Sequence, residues 1–198
     1  YGQRDGAASG TRGDIDERFV VFGYLQSETQ VPHLRWHALT HVGSLFVGFD
    51  GAGNLTGTSA FTGRSSYLKV GGAAETAGVR VILVLANFDD SPGGTIATVM
   101  TSPQRRATLI NQLVIVLAAD SYSQGVSIDL EFSWGTAVRD GVTAFMRELR
   151  VALDNLGPDY ELSIYTNAIF SASQWNFNAV TGITPAIDYI LYSMYDWA

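Results

Sequence analysis

Residues 125–132 read Gly-Val-Ser-Ile-Asp-Leu-Glu-Phe, and the reading of this octapeptide decides the fold. It is apolar enough for a buried strand, yet carries two carboxylates, Asp129 and Glu131, near its C-terminal end. Side chains alternate across a strand, so Ser127, Asp129 and Glu131 share one face. Val126, Ile128, Leu130 and Phe132 share the other. A parallel strand covered on both sides is normally apolar on both faces. Acids placed side by side in such a strand are costly unless they are paired, hydrogen-bonded or used in chemistry.

Working outward, six apolar runs rich in β-formers stand out: 19–25, 41–49, 79–87, 125–132, 160–167 and 187–194. Helical patterns separate several of them. Ser102-Pro103 supplies an N-cap followed by Pro at the first helical position. Leu109, Ile110, Leu113, Val116 and Leu117 follow at helical spacing. A second helix is predicted over about 137–156, with Val142, Phe145, Met146, Leu149, Ala152 and Leu153 on its apolar face, stopped by Gly157-Pro158. A weaker helix is expected over 67–76. Strands alternating with helices indicate parallel pairing through right-handed crossovers.

Two α/β architectures satisfy that alternation. A doubly wound sheet calls for a phosphate-binding glycine loop after a strand. Asp50-Gly51-Ala52-Gly53-Asn54 follows a strand, but no amphipathic helix follows it, and it reads as a turn. A (β/α)8 TIM barrel collects functional acids at the C-terminal strand ends. Asp129 and Glu131, Asp89 and Asp90, and Asp196 all stand at such ends, which favours the barrel. About six of the eight βα units are expected in this chain, as an incomplete barrel over residues 19–198 behind a flexible lead-in at 1–18. The missing units are expected to be lost, outside this chain, or supplied by a complementary chain. An open barrel edge of this kind is expected to self-associate or to pair with such a chain.

The 198 residues are 46% hydrophobic and 16% charged, with a formal net charge of −7, which suits one well-packed domain. Without a basic stripe, nucleic acid is not an expected partner. No apolar run approaches the length needed to cross a bilayer, so no membrane partner is expected either. Cysteine is absent, which excludes disulfides and thiolate-metal sites. His33, His37 and His41 recur every four residues, but Pro32 and the strand start at His41 argue against one helix carrying all three. No metal site is assigned to them.

On one face, the Cα atoms of Asp129 and Glu131 stand about 6.6 Å apart. Acids this close repel, which leaves one protonated as a general acid and the other ionised. Cleavage of a glycosidic bond uses that division of labour. On spacing alone, a solvated strand end or an ion pair to a nearby Arg is the stronger reading.

The octapeptide resembles the fourth barrel strand of glycoside hydrolase family 18, the chitinase family, whose pattern is Asp-Gly-x-Asp-x-Asp-x-Glu. Gly125, Asp129 and Glu131 match, while Gln124 and Ser127 stand where the family usually has acids. Val21-Phe22-Gly23-Tyr24 resembles the family's first strand, and Leu39-Thr40-His41-Val42 the start of its second. Ser193-Met194-Tyr195-Asp196-Trp197 resembles the sixth-strand Met-x-Tyr-Asp pattern, one residue short. In the third strand Val84-Leu85-Ala86-Asn87-Phe88 replaces the family's Ser-x-Gly-Gly. That makes the chain more similar to the bacterial branch that trims spore and cell-wall peptidoglycan.

The resemblance implies a retaining, substrate-assisted hydrolysis of β-1,4-linked N-acetylglucosamine polymers, chitin or peptidoglycan, with no cofactor. It implies Glu131 as proton donor, Asp129 as partner of the substrate's acetamido N–H and Tyr195 as donor to the acetamido oxygen. Asp196, Tyr24, Ser127, Met194, Trp197 and Asn87 are implied as substrate-binding residues. Tyr24, Phe49, Phe88, Trp134 and Trp197 are candidate stacking aromatics. It also implies an extracellular or cell-envelope location. A catalytically silent sugar-binding relative is the alternative that Ser127 favours, and a binding or structural α/β domain with incidental acids is a third.

Overall fold

The computed structural model describes residues 19–25, 27–89, 91–120, 122–130, 135–167 and 175–193. Among these residues, seven strands form one connected sheet: β1 (Phe22–Tyr24), β2 (His41–Phe49), β3 (Leu55–Thr56), β4 (Arg80–Asn87), β5 (Ser123–Leu130), β6 (Glu161–Asn167) and β7 (Tyr189–Ser193). All six apolar runs contain a strand. These six pair in parallel in the order β1-β2-β4-β5-β6-β7, while β3 adds a short antiparallel hairpin to β2. The turn of that hairpin is the glycine-rich stretch at 50–54. The Asp50 carboxylate accepts hydrogen bonds there from the backbone of Ala52 and Asn54, which completes a turn and not a phosphate cradle.

Helices fill the crossovers. α1 (Thr58–Thr62) and α2 (Ala73–Thr76) lie between β2 and β4, α3 (Thr95–Met100) and α4 (Pro103–Ala119) between β4 and β5, and α5 (Thr136–Leu156) between β5 and β6. Ser102 caps α4 as expected, its side chain accepting from the Arg105 N–H. α5 begins one residue before its predicted start. It buries Val142, Phe145, Met146, Leu149 and Leu153 along one face. Burying such side chains contributes about 1.5–3 kcal/mol each. The helix expected over 67–76 is instead a 3-10 turn at Ser66–Leu68 followed by the one-turn α2.

The sheet curls. Laid flat, β1 and β7 at its two edges are five strand spacings apart, about 24 Å. Yet the rings of Phe22 on β1 and Tyr189 on β7 have centroids 6.5 Å apart. Likewise, the Tyr24 hydroxyl on β1 lies 3.1 Å from Ser127 Oγ on β5, three strands away. These contacts require a concave face that closes around a lumen, the arrangement of a partial TIM barrel.

Alternation then assigns each side chain. Leu83, Leu85, Val126, Ile128, Leu130, Leu162 and Ile164 point outward into one large core beneath α3, α4 and α5. Val42 and Val81 join a smaller core with Leu25, Val31, Leu68 and Ala74. The opposite positions line the lumen, and its floor is an ionic cluster. His41 Nε2 donates to Glu161 Oε2 at 2.8 Å, Arg80 Nε lies 3.2 Å from Glu161 Oε1, and the Tyr189 hydroxyl donates to the same carboxylate at 3.3 Å. Burial acts to raise the Glu161 carboxyl's pKa. The hydrogen bond from His41 and the charges of His41 and Arg80 outweigh it, so the net displacement is downward.

His33, His37 and His41 fall on three different elements, two successive 3-10 turns and β2. Among the described residues, no cluster of three potential metal ligands forms, and no helix is long and apolar enough to cross a membrane.

Candidate active site

The octapeptide strand behaves as its alternation dictates: Val126, Ile128 and Leu130 enter the outer core, so Ser127 and Asp129 face the lumen. Gly125 sits where the β4–β5 register slips, between the pairs Val81–Ser123 and Leu83–Val126. A Cβ at Gly125 would stand 2.4 Å from the Glu161 carbonyl oxygen of β6. The glycine therefore lets β5 lie close against β6 just below the two functional positions, and it fixes the height of Asp129 relative to its neighbours.

Asp129 is beside Ala86 of β4. The β5–β6 register, running Ser127–Ser163 and Ile128–Ile164, continues to place Tyr165 on its other side. The Asp129 Oδ1 atom is shut off from solvent. Directly below, Ser127 is fully buried and its hydroxyl pairs with that of Tyr24. The Tyr24 ring meets the Tyr165 ring edge-on, with centroids 5.6 Å apart, and remains partly exposed at the mouth. Three strands thus deliver one carboxylate and three hydroxyl-bearing side chains to two adjoining levels of the lumen.

Of the other sequence-predicted residues, Asn87 ends β4 with its amide committed to the backbone. Nδ2 donates to the Phe49 carbonyl and Oδ1 accepts from the Asp89 N–H. Asp89 organises the following loop, accepting from the Ser91 hydroxyl at 2.6 Å and the Thr95 N–H at 2.7 Å. The Ser91 hydroxyl bond, then the Thr95 backbone bond, hold its carboxyl down at about 2. Phe49 is a correction: it is 4% exposed and belongs to the outer core, so it is not a lining aromatic. Glu131, Tyr195, Asp196, Met194, Trp197, Trp134 and Asp90 lie outside the described residues.

Phe46 is the feature the sequence reading missed. The β2–β4 register shifts by one residue between Ser44 and Phe46, so Phe46 pairs with the lumen-facing Val84 and Val47 with the outward-facing Leu85. Phe46 and Phe88 are 56% and 47% exposed, unusual for rings of this size, and meet edge-to-face at 6.1 Å. The rim of the lumen beside Asp129's neighbour strand therefore presents a pair of open aromatic faces. Such faces suit the apolar side of a pyranose ring.

No protein-family model and no curated protein matches the chain. Solved structures do. A chitinase from Bacteroides thetaiotaomicron superposes with a TM-score of 0.73 at 24% identity, over 90% of this chain and 54% of its own. A mutant of Ostrinia furnacalis Group II chitinase catalytic domain 2, in complex with penta-N-acetylchitooctaose, gives 0.74 at 20% identity over 92% and 52%. The Bacillus cereus spore cortex-lytic enzyme SleL gives 0.64 at 14% identity over 89% and 42%. The chain spans about half the length of these structures. With its curled parallel sheet and lumen-facing Asp129, the chain has the chitinase-like fold that these chitinases and the cortex-lytic enzyme share.

Proposed function

We propose that this chain carries the catalytic strand of a glycoside hydrolase acting on β-1,4-linked N-acetylglucosamine polymers, chitin or peptidoglycan, by a retaining, substrate-assisted reaction. The observation that carries the reading is Asp129, aimed into the lumen at the C-terminal end of β5, on the face that strand alternation also gives to Glu131. A parallel barrel collects reacting groups at that end of its strands.

In this reading Glu131 protonates the glycosidic oxygen. The substrate's own acetamido carbonyl oxygen attacks the anomeric carbon as the leaving-group bond breaks, giving an oxazolinium ion. Asp129 accepts from the acetamido N–H and offsets the positive charge of that ion. Tyr195 donates to the acetamido oxygen, and Asp196, Met194 and Trp197 contact the sugar. Water then opens the ring, with Glu131 taking its proton, and the anomeric configuration is retained. Phe46 and Phe88 stack on neighbouring sugar units. Asn87 shapes the rim through its bonds to the Phe49 and Asp89 backbone. No cofactor takes part.

Six parallel strands fit six of the eight βα units of a (β/α)8 barrel, making residues 19–198 most of a catalytic domain preceded by a lead-in at 1–18. Two further units, or a complementary chain, would span the opening between β1 and β7. An extracellular or cell-envelope location follows from the polymeric substrate.

A sugar-binding protein without turnover is the second reading, favoured by the uncharged Ser127 where the resembled family has an acid. Hydrolysis of a chromogenic chitobioside and of peptidoglycan fragments by the full-length protein separates the two. Turnover with a product of retained configuration supports the enzyme, and saturable binding without turnover supports the lectin.

A further inference from the structure

Ser127 is wholly enclosed, and its Oγ lies 3.1 Å from the hydroxyl that Tyr24 brings across the lumen from β1. We infer that Ser127 and Tyr24 are positioning residues for Asp129: a neutral hydroxyl pair that replaces an acidic neighbour and lets Asp129 ionise without a like charge beneath it. The inference rests on the glycosidase reading and concerns how its acetamido-binding carboxylate is kept in its working state.

Among the described residues, the neighbours of Asp129 agree with this. Ala86 of β4 and Tyr165 of β6 flank it, Tyr24 of β1 meets the Tyr165 ring, and none of the three is a carboxylate. On β5 itself, Glu131 shares the face by alternation. The floor groups His41, Arg80, Glu161 and Tyr189 stand far below. Glu161 is level with Gly125, four residues from Asp129, or about 13 Å along the strand. An acid at position 127 would instead stand about 6.6 Å from Asp129 on the same face and raise the pKa of one of the two. Neither hydroxyl of the Tyr24–Ser127 pair carries charge at neutral pH. Because Ser127 has no exposed surface, it acts through Tyr24 and the strand and not by touching sugar.

The test is the pH dependence of kcat and KM on a chromogenic chitobioside, using the full-length enzyme and its S127A, Y24F, S127A/Y24F and S127D variants. Tyr24→Phe keeps the ring contacts with Phe22 and Tyr165, so it reports on the hydroxyl without disturbing the packing. The expected result is that S127A and Y24F each lower kcat by about 3- to 10-fold with KM within about twofold. The double variant should lose no more than either single one, because both remove the same bond. S127D should move the acidic limb of the kcat profile upward by about one pH unit or more. Additive losses, a rise in KM with kcat unchanged, or an acidic limb that S127D leaves in place would each overturn the inference while the glycosidase reading stands. Absence of turnover in the unsubstituted enzyme overturns both.

Discussion

Replacing Glu161 by Gln removes one charge from the floor of the lumen and keeps the side chain's size. Glu161 joins β6 to β2, β4 and β7 at once, through His41 at 2.8 Å, Arg80 at 3.2 Å and Tyr189 at 3.3 Å. Losing one partner of a buried ion pair costs about 3–5 kcal/mol. Side-chain exposures of 18% for Glu161 and 27% for Arg80 let water recover part of that. The expected loss is therefore about 2 kcal/mol, or about 4–8 °C in melting temperature for a domain of this size. Asp140→Asn is the control, since the Arg139–Asp140 pair leaves the carboxylate 58% exposed and should change stability by about 0.5 kcal/mol or less. The pH dependence has a definite sign. The Glu161 carboxyl lies below its ordinary 4.5 in the folded state. Its contribution is fully present above 4.5 and disappears as the pH falls through the lower folded value. Thermal unfolding of the full-length protein and both variants, at pH 6 and in steps below 4.5, measures this. A gap at pH 6 no larger than that of Asp140→Asn, or one that persists undiminished at the lowest pH where both proteins fold, refutes the floor cluster as a stabilising element.

Three further outcomes are expected. Gly125→Ala should cost about 2 kcal/mol or more in thermal unfolding, because its Cβ meets the Glu161 carbonyl at 2.4 Å and backbone must move. Phe88→Ala and Phe46→Ala should each raise KM for chito-oligosaccharides about 5- to 50-fold with kcat nearly unchanged, measurable by steady-state kinetics, if these rings bind sugar without touching the reacting centre. Asp129→Asn should lower kcat by about 100-fold or more while retaining binding by titration calorimetry, since a neutral amide cannot offset the charge of an oxazolinium ion.

Where strand and helix propensity agreed with packing, the sequence announced the structure. The six strands, the Ser102 cap of α4 and the whole of α5 are visible as periodicity because one buried face enforces each. The octapeptide's alternation survived because Val126, Ile128 and Leu130 need the outer core. Two places were not legible. The expected helix at 67–76 is broken at Gly71, whose φ of +77° is left-handed, and at Gly72, where a Cβ would meet the Ser66 carbonyl at 2.3 Å. On β2, strict alternation from His41 puts Phe49 in the lumen. The register shift between Ser44 and Phe46 inserts one extra residue and exchanges the faces, so Phe46 looks inward and Phe49 joins the core. A one-residue slip inverts a strand and leaves no mark in composition. Pairing of the Tyr24 and Ser127 hydroxyls was equally hidden, because it depends on the curl of the sheet and not on either strand alone.

The proton-donor assignment rests on Glu131, and Glu131→Gln in the full-length protein tests it most directly. The substitution preserves size and removes the transferable proton. The account predicts that the unsubstituted protein releases chromophore from a chitobioside and that Glu131→Gln lowers kcat by about 100-fold or more with substrate binding retained. Equal turnover by the two proteins would contradict it.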